Sequence, residues 1–143
     1  MAMRNFNSSK VSDVILNGLI LIIRLFVGIS MLTHGLPKLE TLILNNQIQF
    51  MSFLGMGSIF TMVLVVLAEF LCSIFIIIGL FTRIACIPLM FTMGVAFFLV
   101  HKADVYADKE LSIMYFFIYL VILTLGSGKF SVDQLMTKKK QAY

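Results

Sequence analysis

The chain has 143 residues, 60% of them hydrophobic and 13% charged, with a mean hydropathy of +1.02, against about 45–50% apolar and about 25% charged in a soluble domain. That composition excludes water as the solvent for most of its surface, because the apolar residues fall in blocks longer than the elements of a soluble core. The net charge of +4 comes from basic residues between and after those blocks, where they act as membrane-topology signals and not as a nucleic-acid surface.

The first block follows Arg4 and Lys10. It predicts a helix over residues 14–36, long enough at about 1.5 Å per residue to cross a core about 30 Å thick, with Gly35 and Pro37 as its stop. It lacks a small-x-small cleavage site, so it is expected to stay attached as a span. Residues 42–57 mix Asn45, Asn46, Gln47 and Gln49 with Ile48, Phe50, Met51, Phe53 and Leu54. This segment is too polar to span and suits a connecting loop with a short amphipathic turn in the interface.

A second span is predicted over 58–81, interrupted by Glu69, and a third over 84–101, with Pro88 in its first turns, where proline is better tolerated. Only Thr82 and Arg83 separate them, which makes them antiparallel neighbours. Residues 110–126 form a fourth, short span that reaches across by local thinning or snorkelling. The tail, 129–143, carries Lys138, Lys139 and Lys140 after Ser131-x-x-Gln134, a capping box opening a short surface helix beside anionic lipid. The expected fold is all-α: a single-domain integral membrane bundle of four transmembrane helices, with a short interfacial segment between the first and second.

Four spans put Arg4, Lys10, Arg83, Lys129, Lys138, Lys139 and Lys140 on one side and Lys38, Lys102 and Lys109 on the other. The positive side marks the cytoplasm, so both termini are expected inside. Cys72 and Cys86 lie fourteen apart in apolar segments without a C-x-x-C, and His34 and His101 alone are too few for a zinc site. No metal is expected.

Arg24 falls near the middle of the first span and Glu69 near the middle of the second, where an unpaired charge costs on the order of 3 kcal/mol. Counted from the predicted helix ends, the two lie at matching depth. The expectation is a bidentate Arg24–Glu69 pair joining Asn17, Arg24, Gly28, Met31 and Gly35 on one helix to Ser58, Met62, Glu69, Ser73 and Ile76 on the other. Such a pair is either a structural clasp or the lining of a cavity for a polar headgroup, a quinone ring or protons. At the opposite helix ends lie His34, Lys38, His101, Lys102 and Glu110. Singly these are snorkelling or anchoring side chains; together they could bind an anion or take protons from a quinol. Tyr115 and Tyr119, one turn apart, either pack or hydrogen-bond a carbonyl ligand.

The order of motifs is also informative. Arg24-Leu25-Phe26-Val27-Gly28, His34-Gly35-Leu36-Pro37-Lys38, Ala68-Glu69, Gly79-Leu80-Phe81-Thr82-Arg83 and Gly126-Ser127-Gly128-Lys129-Phe130-Ser131-Val132-Asp133 together resemble the DoxX family over residues 14–133. The resemblance implies a four-helix bacterial inner-membrane protein, in a family named after small subunits of a thiosulfate:quinone oxidoreductase, with other members linked to redox-stress complexes. It carries over Arg24, His34, Lys38, Glu69 and Arg83 as polar positions of the family pattern. The polar 45–49 insert departs from that pattern.

The chain has no haem attachment motif, iron–sulfur cysteine set, dinucleotide fingerprint or thiol pair, so it carries no electrons alone. The expected function is an accessory subunit of a membrane redox assembly that binds quinone near Arg24, Glu69 and Tyr115. Any enzymatic role would be shared with a quinone-linked oxidoreductase complex. The alternative, from another class, is a structural or assembly subunit without chemistry. A small-solute or proton conductor ranks last, since the polar lining is sparse. The expected partners are the lipid bilayer and either other membrane subunits or further copies of the chain, and no nucleic acid.

Overall fold

The computed structural model describes residues 11–44 and 49–141, and among them every regular element is helical. Four helices, α1 (Asp13–Leu44), α2 (Ser58–Ile78), α3 (Thr82–Val100) and α4 (Tyr106–Leu125), make a bundle, and α5 (Val132–Gln141) packs across one end of it. Helices α1, α2 and α3 are each long and apolar enough to cross a membrane. Helix α4 has twenty residues, but Asp108, Lys109 and Glu110 near its start leave an apolar stretch of only 111–125.

The burial pattern inverts that of a soluble protein. Phe26, Ile59, Phe91 and Phe117 are all more than half exposed, whereas Arg24, Glu69, Ser73 and Thr82 are buried. Apolar side chains outside and polar ones inside suit lipid and not water. The core between the helices is built from Val27 and Met31 of α1, Ile76 of α2, Cys86 and Leu89 of α3, and Tyr119 and Ile122 of α4.

Helix α1 does not end at Gly35 and Pro37, as the sequence suggested, but runs on to Leu44. Proline removes one i to i−4 bond and leaves the carbonyl of Thr33 free. Both Thr33 and Pro37 lie on the exposed side of α1, so the helix tolerates the gap. Gly35 is likewise no cap. A Cβ there would sit 2.9 Å from the Glu69 carbonyl carbon and the Phe70 nitrogen, so its absence lets α1 lie directly against the α2 backbone. Gly28 makes a second close approach, with the Ser73 carbonyl oxygen 3.2 Å from where its Cβ would be. These small residues form the α1–α2 seam.

Helix α2 ends at Ile78, three residues before the predicted 81, because Gly79 adopts the left-handed conformation that closes a helix. The chain then turns through Leu80 and Phe81 into α3. Phe81 also has a positive φ of 46°, and its N–H donates to Asp133 Oδ1 at 2.7 Å. Asp133 Oδ2 accepts from the N–H and hydroxyl of Thr82 at 3.1 and 2.9 Å. A carboxylate borrowed from α5 thus caps the start of α3, the role an N-cap side chain normally fills from its own helix.

Two stretches widen to π geometry: Leu67–Cys72 in α2 and Ala96–Val100 in α3. Of the expected interfacial segment, residues 45–48 lie outside the described residues. Its far end is a single 3₁₀ turn, Phe53–Gly55, pinned to α2 by the Phe53 N–H donating to Thr61 Oγ1 at 3.1 Å.

Candidate functional site

The expected Arg24–Glu69 pair is not formed. Arg24 is fully buried, and its guanidinium donates to four carbonyls: Nε to Ile76 O at 2.8 Å, Nη2 to Ile77 O at 2.9 Å, and Nη1 to Ser127 O and Phe130 O at 2.6 and 3.0 Å. The last carbonyls of a helix have no partners within it. In α2 the N–H groups of Gly79 and Leu80 both go to Phe75 O, which leaves Ile76 and Ile77 open to Arg24. The charge also sits at the negative end of the α2 dipole. The arginine ties α1 to the end of α2 and to the loop that leads into α5.

That loop holds itself in place for the arginine. Ser131 Oγ donates to Gly128 O at 2.7 Å and accepts the Gln134 N–H at 3.2 Å, which is the capping contact expected of Ser131-x-x-Gln134. Asn17 Oδ1 accepts the Lys129 N–H at 2.7 Å, and the Asp133 N–H donates to Gly79 O at 2.9 Å. Three of the sequence motifs, around Arg24, Gly79 and Ser127, therefore meet in one knot.

Glu69 has a different partner. Lys38 Nζ lies 2.6 Å from Oε1 and 2.5 Å from Oε2, with the carboxylate buried and the lysine about one-third exposed. Side chains on a helix lean toward its N-terminus, so Lys38, a turn beyond Gly35, reaches back to the level where Gly35 touches the Glu69 backbone. Arg24 is three helical turns further along α1, level with the end of α2. The depth argument fails because the two helix ends are not level: Arg24 already meets the Ile76 and Ile77 carbonyls at the end of α2, so about the first three turns of α1 extend beyond it.

The Lys38–Glu69 pair borders a cavity of about 530 Å³ between α2 and α3. Apolar and aromatic groups make most of its wall, among them Phe50, Phe53, Leu64, Phe91 and Val95, with Thr61, Thr92 and His101 as further polar lining. Both π segments contribute: Ala68 and Glu69 come from the first, Ala96 and Val100 from the second. Such bulges are often found where a helix is shaped for a ligand. Phe53 closes edge-on against Phe91, with centroids 5.8 Å apart, and joins the loop to the rim. An apolar enclosure with few convergent polar groups is the usual form of a small-molecule site.

A model of the DoxX family matches residues 19–102, more than half of the chain. The chain belongs to the DoxX family. No curated protein and no solved structure matches it. The matched region of this DoxX protein contains Arg24, Lys38, Glu69 and the cavity-lining part of α3, and it stops before the 126–133 motif that Arg24 holds.

The remaining candidates divide by position. His101 lines the cavity, and its Nδ1 lies 2.7 Å from Asp104 Oδ2 in the turn after α3. His34 is exposed on α1, with its ring edge-on to Tyr115 at 6.2 Å. Tyr115 and Tyr119 stack at 6.2 Å within the core and are not in the cavity wall, although the Tyr119 hydroxyl is buried without a hydrogen-bond partner among the described residues. Arg83 is at the opposite end, where Nη2 donates to Thr124 O at 3.2 Å. Sequence reasoning passed over the cavity wall itself. Most of its residues are ordinary apolar ones, and the local signals were Lys38, Glu69, Pro88 and His101, all of which line it.

Proposed function

We propose that this DoxX protein is a four-span bacterial inner-membrane protein with cytoplasmic termini, and that its α2–α3 cavity receives the head of a lipid-soluble ligand, a quinone or quinol. It would serve as an accessory subunit of a membrane redox assembly. Two features support the topology. The apolar part of α4 runs beside membrane-length helices while its charged first turns reach the interface, and Arg83 and Lys129 share one end of the bundle with the first turns of α1 and with α5.

The observation that carries the ligand reading is the buried Glu69 carboxylate, held by Lys38 at the edge of a largely apolar 530 Å³ space. An aromatic head fills such a wall; a quinone carbonyl finds the Lys38 ammonium as donor, and a quinol hydroxyl finds Glu69 as acceptor. Arg24, spent on four carbonyls, has an architectural role and stands outside the proposed site.

The test is calorimetric titration of the purified protein in lipid nanodiscs with a short-chain quinol, whose hydroxyl can donate to Glu69. Saturable binding near one per chain, weakened about tenfold or more in Glu69→Gln as expected for a lost hydrogen bond to a charged group, is the expected result. Heats equal to those of empty nanodiscs would refute it and leave the structural or assembly role as the better reading.

A further inference from the structure

We infer that the end of the bundle remote from Glu69 is a binding site for a phosphate group, presented by an anionic phospholipid whose acyl chains lie on the adjacent apolar surface. The ends of α1, α3 and α4 and the start of α5 surround a second cavity there, of about 580 Å³. It differs from the first in chemistry. Two cations line it, Arg83 at the first turn of α3 and Lys129 in the loop before α5, while the Asn17 amide and the Thr137 hydroxyl beside them already donate to Asp13 O and Asp133 O.

The arginine is held ready. Gly126, at φ +82°, has no Cβ, and the Arg83 Nε and Nη2 lie 3.4 Å from where one would be with Cζ behind them at 3.8 Å, so the guanidinium rests with its Nε–Nη2 edge against the loop. Of its five N–H donors, one goes to Thr124 O at 3.2 Å, and the planar fork is otherwise open among the described residues. A fork of this shape matches two oxygens of a phosphate.

The acidic groups nearby do not fill the site. Asp133 itself lines the cavity, with its oxygens taken by the Phe81 N–H and by the N–H and hydroxyl of Thr82. Asp13 stands 3.8 Å from Lys129 Nζ, with both side chains mostly exposed, so the pair is weakly held. A lipid, rather than free phosphate, fits the border: Phe81, Ile84 and Leu125 line the cavity and are each about half exposed or more on the apolar flank of the bundle. The headgroup would sit where basic residues meet lipid.

The experiment is native mass spectrometry of the intact protein in detergent, with dioleoylphosphatidylglycerol or dioleoylphosphatidylcholine added. One phosphatidylglycerol should be retained in preference to phosphatidylcholine. Retention should fall about fivefold in Arg83→Gln and in Lys129→Gln, the scale of one basic residue at an anionic surface. Lys102→Gln, an equal loss of charge at the other end, should leave it unchanged. Equal retention of the two lipids, or no fall in either site variant, overturns the site. Displacement of the lipid by millimolar inorganic phosphate assigns the cavity to free phosphate and overturns the lipid.

Discussion

Lys38 and Glu69 meet through contacts of 2.6 and 2.5 Å to the two carboxylate oxygens, yet they are unequally buried: the lysine side chain is 32% exposed and the carboxylate 3%. Removing each should therefore cost different amounts. Lys38→Met strands a buried carboxylate, which must stay unpaired or take up a proton, at about 3–5 kcal/mol. Glu69→Leu leaves a lysine that can reach the interface, so its cost should be clearly smaller. Unfolding in mixed micelles should rank the variants in that order, with Lys38→Met/Glu69→Leu more stable than Lys38→Met. The combination of Arg24→Leu with Glu69→Leu should be additive, since the two side chains share no partner. A large coupling between them would restore the direct pair.

What was legible beforehand were the buried charges and the apolar blocks, because lipid penalises a charge so heavily that any arginine or glutamate inside a span draws notice. Their partners were not legible. Pairing two helices by counting from their ends assumes that those ends are level, whereas α1 begins about three turns beyond the end of α2. Gly79 also ends α2 early, and the Gly35-Leu36-Pro37 signal is a helix contact followed by a tolerated proline, not a stop. The cavity was hidden for another reason: apart from Glu69 and Cys72, the π segments that shape it consist of Leu, Ala, Phe and Val, which carry no sequence mark of π geometry.

Arg24→Lys should behave as a loss and not as a conservative change. A lysine has three donors on one nitrogen and cannot span Ile76, Ile77, Ser127 and Phe130 from α1, so some of these carbonyls would lose their partner. Charge-assisted bonds contribute about 1.5–3 kcal/mol each, so a loss of about 3 kcal/mol is expected from two of them. Hydrogen exchange at the end of α2 and in the loop before α5 should rise together, because one side chain serves both. Protection unchanged at both places would show that the knot holds without the arginine.

Asp133→Ala should loosen α5 from α3. The carboxylate accepts three bonds from Phe81 and Thr82 and keeps Phe81 in a left-handed conformation that a phenylalanine seldom adopts. Loss of a capping side chain costs about 0.5–2 kcal/mol. The local signature is more informative than the total: trypsin should cut after Lys129 faster in the variant, while Lys38 and Glu69 at the far end keep their environment. Equal cleavage rates would mean that α5 is held by other contacts.

Two glycines within helices should respond in opposite directions. Gly94 has nothing within 4 Å of its would-be Cβ, so Gly94→Ala faces open space and gains helix propensity, about 0.5–1 kcal/mol. Gly35→Ala must push α1 away from the Glu69 and Phe70 backbone, which would lie within about 3 Å and cannot rotate aside as a flexible side chain can. Overpacking of that kind costs about 1–3 kcal/mol, and it separates the helices at the level where Lys38 reaches Glu69. In Gly35→Ala, quinone affinity should therefore fall along with stability. In Gly94→Ala, stability should hold or rise with affinity intact. If Gly94→Ala destabilises the protein instead, the open face beside Gly94 is covered by another chain, and the functional unit is an assembly in which α3 is an interface.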